Sequence, residues 1–172
     1  RAPNIREFSA NGVHEGTCRY ELGNEALKPE QSWQMDLGMT YSSTLVSAEV
    51  ALFANRIDHY VYSQRMADAQ QRPVVIDGTP VYQFSSGDAR ILGGEVSVDV
   101  HPVERLHIGN AFSYVNSVQL HQPAESRYLP FTPAPRWRAD VRYELICNSR
   151  WVDHLYVKVE ADCNLRQNHC YT

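Results

Sequence analysis

Residues 32–42 read SWQMDLGMTYS, and apolar and polar side chains alternate along this stretch almost without exception. One face would carry Trp33, Met35, Leu37, Met39 and Tyr41, and the opposite face would carry Gln34, Asp36, Gly38 and Thr40. A period of two is the pattern of a β-strand with two unlike faces. A run of about ten residues is also the length that a tilted strand needs to cross a membrane.

The same alternation recurs along the rest of the chain. A second strand is predicted over residues 46–54 and continues towards Tyr62. A third begins at residues 81–84, is interrupted at 85–88 (SSGD) and resumes near Leu92. Three more strands are predicted over residues 106–114, 136–145 and 151–161. We therefore expect an all-β chain in which about six antiparallel strands follow one another as a meander.

The predicted connections alternate in length. The turns at residues 42–44 and 101–104 are short, as is the one between the fifth and sixth strands, whereas residues 64–79 and 117–135 form long connections rich in polar residues and proline. Outer-membrane barrels show this asymmetry, with short periplasmic turns and long extracellular loops. On this pattern, we expect the outer side to hold residues 1–31, 64–80, 117–135 and 162–172.

The apolar faces of these strands must contact either lipid or a second sheet. In a membrane barrel they face lipid and the ionic faces line a polar lumen, whereas in a soluble β-sandwich they face each other. The mean hydropathy of −0.44 suits both, because only alternate residues of a membrane strand need be apolar. The tryptophans and tyrosines near strand ends or on apolar faces favour a barrel with aromatic girdles.

Several function classes have little support in the sequence. A net charge of −4 argues against nucleic-acid binding, since phosphates require a basic surface. No stretch approaches the roughly 18 apolar residues of a membrane helix. We find no G-x-S-x-G, P-loop, H-E-x-x-H or dinucleotide motif, so we expect neither an enzyme nor a bound cofactor. Cys163 and Cys170 enclose a short polar stretch, and both a disulfide and free thiols remain open.

The opening of the chain carries the most specific motifs. Residues 1–17 read RAPNIREFSANGVHEGT, followed by YELG at 20–23 and LKPEQS at 27–32. This order of spaced elements resembles TonB-dependent outer-membrane receptors, as do NRIDHYV at 55–61, GDAR at 87–90, GGE at 93–95 and HP at 101–102. The resemblance implies a bacterial outer-membrane location and a barrel of about 22 strands.

The resemblance also implies that residues 1–172 are a partial barrel domain, with an outer loop at 1–31 and strands and loops at 32–172. The plug domain and its energy-coupling segment are expected upstream and the closing strands downstream. The implied partners are outer-membrane lipid, the TonB energy-coupling complex through that plug, and a small ligand. The expected function is import of a scarce ligand, with a metal chelate such as a ferric siderophore or haem, or a metal ion, preferred. The alternative is a self-contained soluble β-sandwich for binding or adhesion.

Two sets of residues are candidates for function. His14 and Glu15, with Asn11 and the nearby Cys18, offer donors suited to a metal or metal chelate. The alternative, which a loop histidine more often follows, is that His14 holds its turn by hydrogen bonding. An inward ionic row on the fifth strand could contact the plug or an anionic solute, or simply be solvated. Its members are Arg136, Arg138, Asp140, Arg142 and Glu144. His101, His107 and His154 are expected to face inward and to form hydrogen bonds, and no resident metal site is expected.

Overall fold

The computed structural model describes residues 1–123, 126–147 and 149–168. Nearly all of its regular structure is strand, which confirms the predicted all-β class. The elements are α1 (Ile5–Ser9), β1 (Asn11–His14), β2 (Arg19–Leu22), β3 (Gln31–Ser42), β4 (Val46–Arg65), β5 (Val75–Ile76), β6 (Thr79–Val103), β7 (Leu106–Gln119), β8 (Arg136–Ile146) and β9 (Leu155–Asn164). The chain divides into two compact units.

The second unit, residues 34–55, 91–118 and 122–172, is a wall of neighbouring strands. Its strand order is β3-β4-β6-β7-β8-β9, which is the predicted meander. Pairing keeps like faces together, since Ile108 lies opposite Val141 while Gly109 lies opposite Asp140. Because a slip of one residue would move every side chain to the other face, this register fixes one apolar and one polar face across the wall.

The apolar face of this wall is uncovered. Met39 on β3 and Val159 on β9 are 66% and 70% exposed, and every residue of these two strands is exposed. Within the described residues no second sheet shields them, as the sandwich alternative would require. The fold is that of a partial barrel wall whose apolar side suits lipid.

Several predicted strand boundaries were wrong, and the first of them lies within β6. β6 runs without interruption from Thr79 to Val103, straight through residues 85–88. The main-chain NH of Leu120 donates to the carbonyl of Asp88 at 2.6 Å, and a Cβ on Gly87 would lie 2.5 Å from Nε2 of Gln119. Pairing with β7 therefore outweighs the poor strand propensity of this stretch, and requires a small residue at position 87.

The start of the last strand was also predicted too early. β9 begins at Leu155 rather than at position 151. The residues before it form a turn, in which the NH of Ser149 donates to the carbonyl of Val152. Pairing with β8 then starts at Ile146 and Leu155, next to a register shift. The tight turn before β7 comprises residues 104 and 105 rather than 101–104, since β6 continues to Val103.

The first unit, residues 1–33, 56–90 and 119–121, gives the predicted outer loop a defined structure. α1 begins with a capping box in which Asn4 and Glu7 each bond the other's main-chain NH. β1 and β2 form an antiparallel hairpin, and β2 pairs in parallel with residues 81–83 of β6. Buried Leu27, Val61, Val81 and Ala89 form the core of this unit. No described helix is long and apolar enough to cross a membrane.

Candidate ligand-binding segment and polar face

The opening segment is fixed by an ion-pair network around Arg1. Its Nε lies 2.7 Å from Oε2 of Glu30, and its Nη1 lies 3.0 Å from Oε1 of Glu7. The main-chain NH of Val61 donates to the same Glu30 carboxylate at 2.7 Å. The Arg1 hydrogen bond and, secondly, the Val61 hydrogen bond hold the pKa of Glu30 below its usual value against the opposing effect of burial. This carboxylate thus ties the chain start to β4.

We expect Glu30→Gln to loosen this attachment by about 1 kcal/mol, a modest figure because Arg1 is half exposed. Since the folded-state pKa is lowered, the stabilisation is present above the unfolded pKa of about 4.3 and is lost as pH falls through the lower folded value. The protection factor of the Val61 amide, which is the intrinsic exchange rate at each pH divided by the observed rate, should therefore fall in the variant at pH 7, and in the natural protein on acidification. Glu25→Gln, at an exposed position, is the control, and equal exchange in both variants would contradict the prediction.

A second ion pair fastens β2. The guanidinium of Arg6 pairs with the carboxylate of Glu21, which is only 5% exposed, and lies 6.0 Å from the centroid of the Phe84 ring. The hydrogen bond from Arg6 lowers the pKa of Glu21. Nearby, the guanidinium of Arg19 stacks 4.3 Å from the ring centroid of Tyr82. These contacts hold the β1–β2 hairpin on the edge of β6.

The tip of this hairpin carries the predicted ligand-binding residues. Nδ1 of His14 lies 3.2 Å from Oγ1 of Thr17, and Oδ1 of Asn11 accepts a hydrogen bond from the Tyr20 hydroxyl at 2.9 Å. The side chain of Glu15 is exposed at the same tip. His14 is therefore engaged in holding its turn, and its role towards a ligand stays a prediction.

Cys18 lies at the same tip in a left-handed conformation, with φ of 50°, and its thiol is 3.5 Å from the carbonyl oxygen of Glu15. The donor atoms of His14, Glu15 and Cys18 do not converge to within 4.8 Å of one another in the structure as described. The tip presents three exposed or half-exposed donors without a preformed metal cage.

The predicted ionic row lies along the polar face of β8, where β9 supplies opposite charges. Nε of Arg136 donates to Oδ1 of Asp162 at 2.8 Å, and Nζ of Lys158 lies 3.6 Å from Oδ2 of Asp140. The full row is Arg136, Arg138, Asp140, Arg142 and Glu144. Cross-strand pairing of opposite charges makes this face a mixed-charge surface, and its contact with the plug or with an anionic solute stays a prediction.

A grouping that sequence reasoning missed lies beside the turn between β6 and β7. Asp99, His101 and His107 bring one donor atom each to within 4.8 Å of one another, the one such group of three among the described residues. The two imidazole rings meet edge to face with centroids 4.5 Å apart. The sequence does show Asp99-x-His101 and then His107 after a tight turn. Whether these side chains lie on the same face, however, depends on how the two strands pair.

Comparison with known proteins identifies the family. Residues 1–161 match the family described as TonB dependent receptor-like, beta-barrel. The chain belongs to the TonB-dependent receptor β-barrel family. Receptors of this family are bacterial outer-membrane proteins, so the expected location is confirmed.

A solved structure named copper transporter OprC shares this receptor fold. It matches with a TM-score of 0.73 and 16% sequence identity, covering 99% of this chain. The chain spans only 23% of the length of that transporter. At this identity the likeness establishes the fold, including the partial wall, and not the ligand.

The sequence left open whether Cys163 and Cys170 of this receptor chain form a disulfide or stay free thiols, and both alternatives stay open. Cys163 is exposed near the end of β9, whereas Cys170 lies outside the described residues.

Proposed function

We propose that this chain forms part of the barrel wall of an outer-membrane transporter that imports a scarce ligand, using force delivered by the TonB complex to a plug region elsewhere in the protein. The family match over residues 1–161 carries this proposal. The wall supports it, because an uncovered apolar face opposite a charged face is what a lipid-to-lumen boundary requires.

The ligand class we favour is a metal chelate, such as a ferric siderophore or haem, or a metal ion. The support is the donor chemistry at the hairpin tip, where an imidazole, a carboxylate and a thiol lie within five residues of chain: His14, Glu15 and Cys18. The order of the segment that carries the hairpin tip also supports this ligand class. The Arg6–Glu21 pair and the Arg1–Glu30 pair order the segment before any ligand arrives, which lowers the entropic cost of binding.

The hairpin tip can be tested directly in the intact receptor. Replacing His14, Glu15 and Cys18 together with Ala should weaken binding of the imported ligand by at least about tenfold, equivalent to roughly 1.4 kcal/mol. Affinity would be measured by calorimetry or fluorescence quenching with ferric siderophores, haem and Cu²⁺ as separate probes. Glu25→Ala, an exposed change in the same segment, is the matched control.

The possible outcomes distinguish the ligand class from the location of its binding site. Loss of one probe in the triple variant, with Glu25→Ala unchanged, supports that ligand class. If the natural receptor binds one of these probes and the triple variant binds it equally well, the hairpin tip is not its binding site. If the natural receptor binds none of them, the metal or chelate preference is wrong, while family membership stands.

A further inference from the structure

Two histidines and a carboxylate converge on the polar face of the second unit. Asp99 and His101 lie two residues apart on β6 and so project to the same side, and His107 joins them from the start of β7. Oδ1 of Asp99 lies 3.4 Å from Nε2 of His101, and the two imidazole rings have centroids 4.5 Å apart. One donor atom from each of the three residues lies within 4.8 Å of the other two, close to the spacing that a shared ion would need.

Two polar atoms of this group make no hydrogen bond within the described residues. Oδ1 of Asp99, which lies 3.4 Å from Nε2 of His101 without forming a hydrogen bond, and Nδ1 of His101 are both shielded from solvent. A shielded carboxylate oxygen or ring nitrogen without a partner is unfavourable, and such exceptions call for a specific explanation. A bound cation would satisfy the carboxylate directly and would orient the neighbouring imidazoles.

The charges around the group also favour a cation. Nε2 of His107 lies 3.9 Å from Oε1 of Glu144, and Nδ1 of His154 lies 3.9 Å from the other oxygen of that carboxylate. The Cys147 thiol donates to the same carboxylate at 3.3 Å. A positive charge opposes them, since the guanidinium of Arg142 lies 3.6 Å from Glu144. The carboxylates of Asp99 and Glu144 thus place two negative charges beside the imidazoles of His101 and His107.

We propose that Asp99, His101 and His107 form a site for a divalent transition-metal ion of the Zn²⁺, Cu²⁺ or Ni²⁺ class. Two imidazole nitrogens with one carboxylate oxygen suit these ions, whereas Ca²⁺ and Mg²⁺ prefer oxygen ligands alone. Three protein ligands leave a coordination position open to water or to the nearby Glu144. This site is separate from the hairpin tip and does not depend on which ligand the receptor imports.

The test uses Zn²⁺ and Cu²⁺ on the intact receptor in detergent. His101→Asn combined with His107→Asn should weaken Zn²⁺ binding by at least about tenfold in calorimetry, since losing even an outer-shell partner of a metal ligand typically costs that much. Cu²⁺ bound to the natural receptor should show nitrogen coupling from two imidazoles in its electron paramagnetic resonance spectrum, and the double variant should lose it. His14→Asn is the control and should leave this ion in place.

Asp99→Asn provides a second, nearly isosteric variant in case the double variant does not fold. It should also weaken Zn²⁺ binding while keeping the imidazole nitrogen coupling to Cu²⁺. Unchanged Zn²⁺ affinity in Asp99→Asn and in the folded double variant, or loss of the ion in His14→Asn alone, would overturn the site.

Discussion

Leu37→Arg is expected to destabilise the folded receptor by about 2–4 kcal/mol in a lipid bilayer, the penalty for a cation on the lipid side near the membrane midplane. Leu37 lies in the middle of β3, on the face shared with Met35 and Met39, and is 59% exposed. In a barrel wall that exposure is to acyl chains, which cannot solvate a guanidinium. The measurement is equilibrium unfolding in lipid vesicles, followed by tryptophan fluorescence.

Gly38→Arg is the matched control for this change. Position 38 is the next residue of β3, at the same depth but on the opposite face, and a Cβ there would meet nothing within 4 Å. A cation on the polar face should cost far less than one at position 37. Equal destabilisation by the two substitutions would mean that the apolar face does not meet lipid, and would contradict the barrel assignment of this strand.

Gly23→Ala is expected to destabilise the first unit by about 1–3 kcal/mol, the usual cost of forcing extra atoms into a packed site. A Cβ at position 23 would lie 2.3 Å from the carbonyl oxygen of Phe8 and 2.6 Å from the amide nitrogen of Ser9. These are backbone atoms of α1, which cannot swing aside as a flexible side chain could. The NH of Gly23 also donates to the carbonyl of Ala10 at 2.7 Å, so the two segments cannot separate without losing that bond.

The same change at Gly12 is the control, because a Cβ at position 12 would have no heavy atom within 4 Å. Limited proteolysis of the opening segment in the intact receptor would report the difference. Faster cleavage near α1 in Gly23→Ala but not in Gly12→Ala is the expected result. Identical cleavage of both variants and the natural protein would show that α1 does not pack against residue 23.

Much of the wall could be predicted from local pattern. The alternation around Leu37 and that around Val141 each identified a strand and its apolar face, because side-chain direction in a strand follows residue parity alone. Strand ends were harder to predict. The stretch at residues 85–88 has the composition of a turn, yet the amide of Leu120 pairs with the carbonyl of Asp88 and the strand continues.

The candidate sites were likewise only partly predictable from the sequence. The hairpin tip could be found from sequence, since His14, Glu15 and Cys18 are close along the chain. The sequence could not show that the donor atoms of these three residues stay apart, because their positions depend on the left-handed conformation of Cys18 and on the His14–Thr17 contact. His107 was predicted to face inward, but its contact with His101 could be seen only from the actual pairing of β6 with β7.

The sequence by itself therefore determined the class, the approximate strands and the two unlike faces, since these follow from the period of the chain and from motifs in a fixed order. Only the tertiary structure decided that residues 1–31 fold into a helix and a hairpin held by Arg1 and Glu30, and that Asp99, His101 and His107 converge. The physical reason is that strand register and ion pairing join residues distant in the chain. Their geometry depends on hydrogen bonds and packing between segments rather than on local propensity.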